Sequence, residues 1–485
     1  MTEKTLDPLA KLLQEVFGYT DFREGQRETI ESVLRNKRTL AILPTSSGKS
    51  LCYQLASYLL PGQTIIVTPL ISLMEDQVSR LRQLGEKRVT AIHSQMSFQT
   101  RQRIFSQFQQ YKFVFVSPEL LVQDWFKEQA KKGKISLVVV DEAHCISQWG
   151  IDFRPDYEWI PEFLKELDSS VKVLGLTATA TQKVMEDIES TLFHQQACHL
   201  IKQSSDRQNI AYQVVETEDK TAYLKQFLSQ HPGPGIIYFS SKKEAERICT
   251  LLQEETELAV SYYHGDLSNQ ERLVVQQQFL HQQLHVLCAT SAFGMGIHKE
   301  DVRFVIHYHL PSSVEAYVQE AGRSGRDGKQ SLALLLYRPQ DEHIHYHLLE
   351  QLIKEKEGMA YLLKQPEETW QQYLPKLSSL QQKWLTGYTH QRYSKETLMA
   401  GLEQKISERT RHIQDMLTYI HLTTCRRKYL LAYFDSESEG QVSICCDHCG
   451  LEDLELETVP VFPRSPLEFS KDWQETLKKV FNQRE

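Results

Sequence analysis

Leu137–Val140 is a run of four apolar residues, three of them valine, that ends directly in the carboxylates Asp141 and Glu142. Side chains branched at Cβ are stiff and pack well on a pleated surface, so so short and apolar a run suits a strand buried on both faces. Such strands belong to parallel sheets, whose crossover helices cover both faces. The chain repeats the pattern: TLAIL from 39, TIIV from 64, FVFV from 113 and VKVLGL from 171 alternate with helical sequence. After a polar break, KQSSDRQNI at 202–210, a second series follows, with GIIYF at 235, AVSYYH at 259, HVLCA at 285, VRFVIH at 302 and SLALLLY at 331. The expected class is therefore α/β, with two parallel-sheet domains in tandem over residues 1–205 and 206–340. Two short helices around the polar turn at 18–21 would open the chain.

Beyond Arg338 the composition becomes rich in Gln, Glu, Lys and His and the strand signal stops. Leu398, Leu402, Ile406, Ile413, Leu417 and Ile420 recur at helical spacing, so residues 341–452 are expected to form a helical connector leading into a cysteine cluster. In the remaining tail, 453–485, Phe469, Trp473, Leu477 and Phe481 share one helical face. Cys52, Cys198, Cys249 and Cys288 stand singly, which suits reduced thiols in a cytoplasmic protein. The N-terminus lacks a signal-peptide core and no apolar run reaches the length of a membrane span, so no membrane partner is expected. Net charge is −8, so any nucleic-acid site must be a local patch of basic or aromatic side chains.

The first strand is followed by PTSSGKS, residues 44–50. Backbone N–H groups of such a loop can wrap phosphates at a helix N-terminus. Thr45, Ser46, Ser47 and Gly48 would line it, Lys49 would reach the outer phosphates and the Ser50 hydroxyl would hold Mg²⁺. Leu43 stands where the P-loop pattern has its first glycine, so GKS alone is a weak signal; the strand before it and DEAH at 141–144 strengthen it. Asp141 would bind Mg²⁺ through water, and Glu142 would orient and deprotonate the attacking water. The bland alternative for the pair is an acidic helix cap. In the second domain QEAGRSGRDG, 319–328, sets Arg323 and Arg326 among glycines, able to reach a phosphate across a cleft or simply to decorate a surface turn. An arginine on a γ-phosphate is worth on the order of 10³–10⁵ in rate. ATP held this way would couple hydrolysis to cleft closure. After DEAH come Trp149, Phe153, Arg154 and Tyr157, flat rings and a cation on which bases could stack for about 1–3 kcal/mol each, or which could pack beneath the loop.

In order along the chain, FGYTDFREGQ (17–26), LPTSSGKS (43–50), VTPLISLMEDQV (67–78), SPE (117–119), DEAHCISQWGIDFRPDY (141–157), GLTATA (175–180), IIYFSS (236–241), ATSAFGMGI (289–297) and QEAGRSGRDG resemble the second helicase superfamily, and within it the RecQ family of DNA helicases. The resemblance implies two RecA-like domains and a helical zinc-binding module, in a short form without winged-helix and helicase-and-RNase-D C-terminal domains. It implies an ATP-dependent enzyme using Mg²⁺ and Zn²⁺, moving 3′ to 5′ on single-stranded and partially duplex DNA in repair or recombination. A monomer associated with the nucleoid is expected. An RNA helicase or duplex translocase on the same motor, and a non-catalytic binding module, are the competing classes.

By the same resemblance Tyr19 would stack on adenine and Gln26 read its edge, with Arg23 nearby; without it, Tyr19 and Gln26 read as helix-packing residues. Thr177–Thr179 would couple ATP state to domain motion, and Phe293–Gly296 would line the cleft. The loop of Trp149, Phe153 and Arg154 would sense single-stranded DNA, though Ile151 stands where a histidine is expected. Zinc would take Cys425, Cys446 and Cys449. The usual fourth position is Ser443, which leaves Cys445 as the choice and His448 as second. Arg426 and Arg427 would contact the DNA backbone or form a solvated helix face. The connector, with Trp370 and Trp384, is longer than the family's and reads as an extra helical hairpin. The tail helix would pack back on the body or dock a single-stranded-DNA-binding protein.

Overall fold

A computed structural model of the chain describes residues 7–45, 47–148, 157, 159–194, 196–294, 299–389, 394–437, 440 and 442–458. Ser46, Trp149, Ile151, Phe153, Arg154, Gly296 and the tail stripe from Phe469 to Phe481 lie outside the described residues.

Thirteen described strands form two all-parallel sheets. β1 (Arg38–Ile42), β2 (Gln63–Val67), β3 (Val89–Ile92), β4 (Phe113–Val116), β5 (Ile135–Val140), β6 (Lys172–Thr177) and β7 (His199–Lys202) take the order β3-β4-β2-β5-β6-β1-β7. β8 (Ile210–Glu216), β9 (Gly235–Tyr238), β10 (Val260–Tyr263), β11 (Val286–Ala289), β12 (Phe304–His307) and β13 (Ser331–Tyr337) take the order β10-β11-β9-β12-β13-β8. The apolar runs behave as their chemistry requires. Alternate residues of one strand enter opposite cores: Leu40, Val138 and Val140 on one face, Ala41, Leu137 and Val139 on the other. Three strands carry no such run. β3 and β7 are edge strands of four residues, and His199 and Leu200 of β7 are exposed. β8 is the outer strand of the second sheet, and its last residues are only partly buried.

In the first sheet β6 lies between β5 and β1. The segments leaving the C-terminal ends of these three strands therefore meet in one crevice, where open α/β sheets hold ligands.

The connector forms helices His343–Leu362, Ser379–Thr389 and Lys395–Ile420 around their own core, in which Trp370, Trp384, Leu398 and Leu402 are buried. The Trp370 indole donates to the Leu362 and Gln365 carbonyls at 3.0 and 3.1 Å, which satisfies its one polar atom. Further along the longest helix, Met416, Tyr419 and Ile420 pack with Leu430 and Phe434 onto Tyr212, Ala333 and Leu335 of β8 and β13. The C-terminal module thus supplies part of the second sheet's cover.

Candidate functional site

The loop after β1 runs into helix Lys49–Leu59, with Gly48 as its N-terminal cap at φ +73°. Leu43, at the place of the missing glycine, is fully buried, and its backbone N–H donates to the Thr177 carbonyl at 3.0 Å. The departure from the motif is thus spent on packing. Gln26 opens helix Gln26–Arg35 behind the loop. Its Oε1 accepts from the Arg23 amide at 2.9 Å, and its Nε2 donates to the Ser47 and Gly48 carbonyls at 2.7 and 3.4 Å. At φ +73° a side chain at position 48 would be strained, and its Cβ would also press on Gln26 Nε2 at 2.6 Å, so glycine is favoured here. Tyr19 is 58% exposed.

β5 delivers the two carboxylates. The Asp141 amide still donates to the Val67 carbonyl at 2.9 Å, then the chain turns out of the sheet through Glu142 at φ +50°. For a residue other than glycine that region costs on the order of 1–3 kcal/mol, the kind of strain held at functional positions. The Ala143 amide secures the far side by donating to Leu176 at 2.7 Å. Both carboxylates are buried. Burial, helped by the Glu142 charge and opposed by Lys49, pushes Asp141 up to about 7.

His144 Nδ1 lies 3.0 Å from Thr177 Oγ1 and 3.4 Å from Glu142 Oε2. The Thr177 hydroxyl donates to the Thr179 carbonyl at 3.0 Å, so it receives its hydrogen bond from His144 Nδ1–H. Desolvation lowers the pKa of this buried imidazole, which favours the neutral form. His144 therefore ties DEAH to Thr177–Thr179, the segment expected to couple ATP state to motion. The buried Glu142 Oε2 and Ser47 Oγ accept or donate no hydrogen bond within the protein. Unpaired oxygens beside a helix N-terminus fit a phosphate, Mg²⁺ and an attacking water.

The second sheet presents its arginines from the opposite side. Helix Val314–Ala321 ends at Gly322, whose Cβ position lies 2.7 Å from Thr45 Oγ1, so the two loops touch. Arg323 is buried and donates to the Gly294 carbonyl. The loop is pinned by buried Arg303, which reaches Asp327 at 2.5 Å. Desolvation and the neighbouring charges of Arg323 and Arg207 lower Arg326 to about 9, so it stays a cation at neutral pH. Guanidiniums crowded against one another favour an anion between them. Arg207 is a site residue that the sequence reading missed, because it lies in the polar segment read only as a domain break.

In the cysteine module, Cys425 caps helix Arg426–Tyr433. Sγ atoms of Cys425, Cys445, Cys446 and Cys449 all lie within 4.8 Å of one another, with neighbouring pairs at 3.6, 3.9 and 3.6 Å. A tetrahedron with Zn–S bonds of about 2.3 Å puts sulfurs roughly 3.8 Å apart. The four thiols therefore fit Zn²⁺, with Cys445 as the fourth ligand, while Ser443 and His448 are exposed. Adjacent cysteines can share the site because the backbone is held from outside. The Tyr212 amide donates to the Cys445 carbonyl and the Asp447 amide to the Tyr212 carbonyl, both at 3.1 Å, which caps the free edge of β8.

Two expectations are corrected here. Arg426 and Arg427 neither form a solvated face nor reach outward to DNA; they are 4% and 3% exposed. Arg426 grips Asp447 with Nε 2.6 Å from Oδ1, and Arg427 holds Asp206 at 2.5 Å. A buried guanidinium must be paired, and both find their partners inside the protein.

The chain matches the DEAD/DEAH box helicase family over residues 23–188, the helicase conserved C-terminal domain over 219–328 and the RecQ zinc-binding family over 388–450. It is 39% identical over 490 residues to a probable ATP-dependent DNA helicase RecS of Bacillus subtilis, covering 98% of both chains. It is 35% identical to the ATP-dependent DNA helicase RecQ of the same organism, over 92% of this chain and 68% of that one. A putative ATP-dependent RNA helicase, R290 of Acanthamoeba polyphaga mimivirus, is 36% identical over 92% of this chain and 73% of its own. Among solved structures, the Mycobacterium smegmatis helicase Lhr bound to ssDNA and AMP-PNP shares the fold, with a TM-score of 0.56 and 22% identity over 68% of this chain and 48% of that one. With its two parallel sheets, the cleft between them and the four-cysteine knuckle, the chain belongs to the RecQ family of helicases.

Proposed function

We propose that this protein is an ATP-dependent DNA helicase that moves 3′ to 5′ on single-stranded DNA and unwinds duplexes in repair or recombination, in the cytoplasm at the nucleoid. One observation carries the reading. The phosphate loop, the strained DEAH turn and the Arg323–Arg326 loop converge on one interdomain cleft, where Thr45 meets Gly322. Hydrolysis there must alter the contact between domains, which is what a translocating motor requires.

In this reading Thr45, Ser46, Ser47, Gly48 and Lys49 hold the phosphates. Ser50 and Asp141 hold Mg²⁺, and Glu142 deprotonates the attacking water. Arg323 and Arg326 stabilise charge on the γ-phosphate, with Gly296 lining the cleft. Tyr19 stacks on adenine, and Gln26 reads its edge by releasing the Ser47 carbonyl or the Arg23 amide that it now holds. Trp149, Phe153 and Arg154 hold the DNA strand. Zinc braces the module behind β8.

The deciding experiment is strand separation on 3′- and 5′-tailed duplexes with ATP and Mg²⁺, alongside an RNA duplex. Unwinding of the 3′-tailed DNA alone is expected. Glu142→Gln should bind ATP yet lose hydrolysis by about 10²–10⁴, the usual contribution of a general base. Equal unwinding of RNA would transfer the reading to an RNA helicase, and full turnover by Glu142→Gln would sink the mechanism.

A further inference from the structure

Arg207 lies between the two sheets, in the linker from β7 to β8, and its guanidinium faces both sides of the cleft. Nη1 donates to the Thr45 carbonyl of the phosphate loop at 3.2 Å and to the Gly322 carbonyl at 3.3 Å. Nη2 donates to the Ser324 and Gly325 carbonyls at 3.3 and 2.7 Å. One rigid fork therefore spans the phosphate-loop backbone and the backbone on either side of Arg323. Asn209 Nδ2 adds a second grip, at 2.7 Å, on the Gly325 carbonyl.

The linker is itself held from behind. Arg427, from the helix that follows Cys425, binds the Asp206 carboxylate at 2.5 Å, the Arg207 carbonyl at 3.0 Å and the Ile210 carbonyl. Arg427 thus holds the side chain that precedes Arg207 and the backbone carbonyls of Arg207 itself and of Ile210. Burying a guanidinium among carbonyls is worthwhile only where several acceptors converge, and among the described residues four converge here from two domains.

We propose that Arg207 is a positioning residue of the ATP cleft, a linker-borne fork that sets the Arg323–Arg326 loop in register with the phosphate loop, with the zinc module's Arg427 holding it in place. Its contacts are to backbone carbonyls on both faces of the cleft, and these can be made together only when the cleft is closed. Losing the fork should therefore impair the closed, hydrolysing state more than the first capture of nucleotide by Lys49 and its loop. A lysine in its place keeps the charge but has no planar fork to span four acceptors.

The proposal rests on the reading of this cleft as an ATP site, and its test separates the two. Full-length wild type, Arg207→Gln and Arg207→Lys would be compared in binding of a fluorescent ATP analogue and in steady-state hydrolysis, with and without oligo(dT). For Arg207→Gln the analogue's Kd should stay within threefold while kcat falls at least tenfold under both conditions, about 1.4 kcal/mol in the barrier. Should that variant fail to fold, as judged by zinc content and circular dichroism, Arg207→Lys should lose at least fivefold in kcat with unchanged binding. A smaller loss of kcat in the folded variant used, or a loss confined to nucleotide affinity, overturns the role given to Arg207. Wild type that does not hydrolyse ATP overturns the reading of the cleft instead. Wild type that hydrolyses ATP without stimulation by oligo(dT) removes the DNA assignment, and basal kcat still judges Arg207.

Discussion

Asp141 shows how one position can serve two states. Burial and the adjacent Glu142 raise its pKa to about 7, against roughly 3.9 for a free aspartate. Because the folded value is the higher one, this group makes the free protein less stable as pH rises from about 4 toward 7. In the proposed reading Mg²⁺ would offset that cost, since it would bind the Asp141 anion in place of the proton. Binding of Mg·ATP at pH 6 should therefore release close to one proton, with affinity falling roughly tenfold per unit below pH 7. Calorimetry in buffers of different ionisation enthalpy reads both, and Asp141→Asn should show neither effect. The residue scale was legible in the motif letters, but not in full. Nothing in DEAH says that Glu142 takes a left-handed turn, nor that His144 is spent on Thr177.

The zinc knuckle is the element where sequence and structure meet most closely. Sequence left Cys445 and His448 as rival fourth ligands; the packing of Cys445 against Tyr212 turns its thiol inward and leaves His448 exposed. Cys445→Ser should lower bound zinc below one per chain in a colorimetric thiol-release assay, whereas His448→Ala should retain it. Structural zinc supplies about 10–16 kcal/mol of apparent folding energy, so the serine variant should also lose cooperative melting of this module. Arg426 belongs to the same element. Arg426→Gln leaves Asp447 without its charged partner inside the fold, a cost of about 3–5 kcal/mol seen as a lower Tm. Its salt dependence of DNA binding should match wild type. A slope reduced by about 0.7, the value of one phosphate contact on a single strand, would return Arg426 to the DNA surface.

At the scale of the whole molecule, the C-terminal module is joined to both sheets. It covers β8 and β13 with Met416, Tyr419 and Leu430, and Glu408 on its long helix pairs with Lys183 of the first domain. Arg427 adds the linker to that list. The motor, linker and zinc module are thus mechanically connected, and in the proposed reading DNA held at Trp149 would influence the cleft through DEAH a few residues upstream. Trp149→Ala should accordingly lose most of the stimulation of ATP hydrolysis by single-stranded DNA while keeping its basal rate within about threefold; loss of one stacked base accounts for about 1–3 kcal/mol. Unchanged stimulation would refute the sensor role.

What depends on local pattern could be read from the letters alone: buried parallel strands from short apolar runs, a phosphate loop and carboxylates at strand ends, and three of the four metal-binding thiols. Strand interiors are dictated by side-chain chemistry every second residue, and motif residues by the reaction they serve, so both are written in adjacent letters. Only the tertiary structure decided the edge strands β3, β7 and β8, whose pairing is set by neighbours rather than by their own composition. It also decided that Arg426 and Arg427 turn inward and that Arg207 spans the cleft. An arginine's partners are carbonyls and carboxylates brought from other parts of the chain, and no local pattern records which of them will arrive.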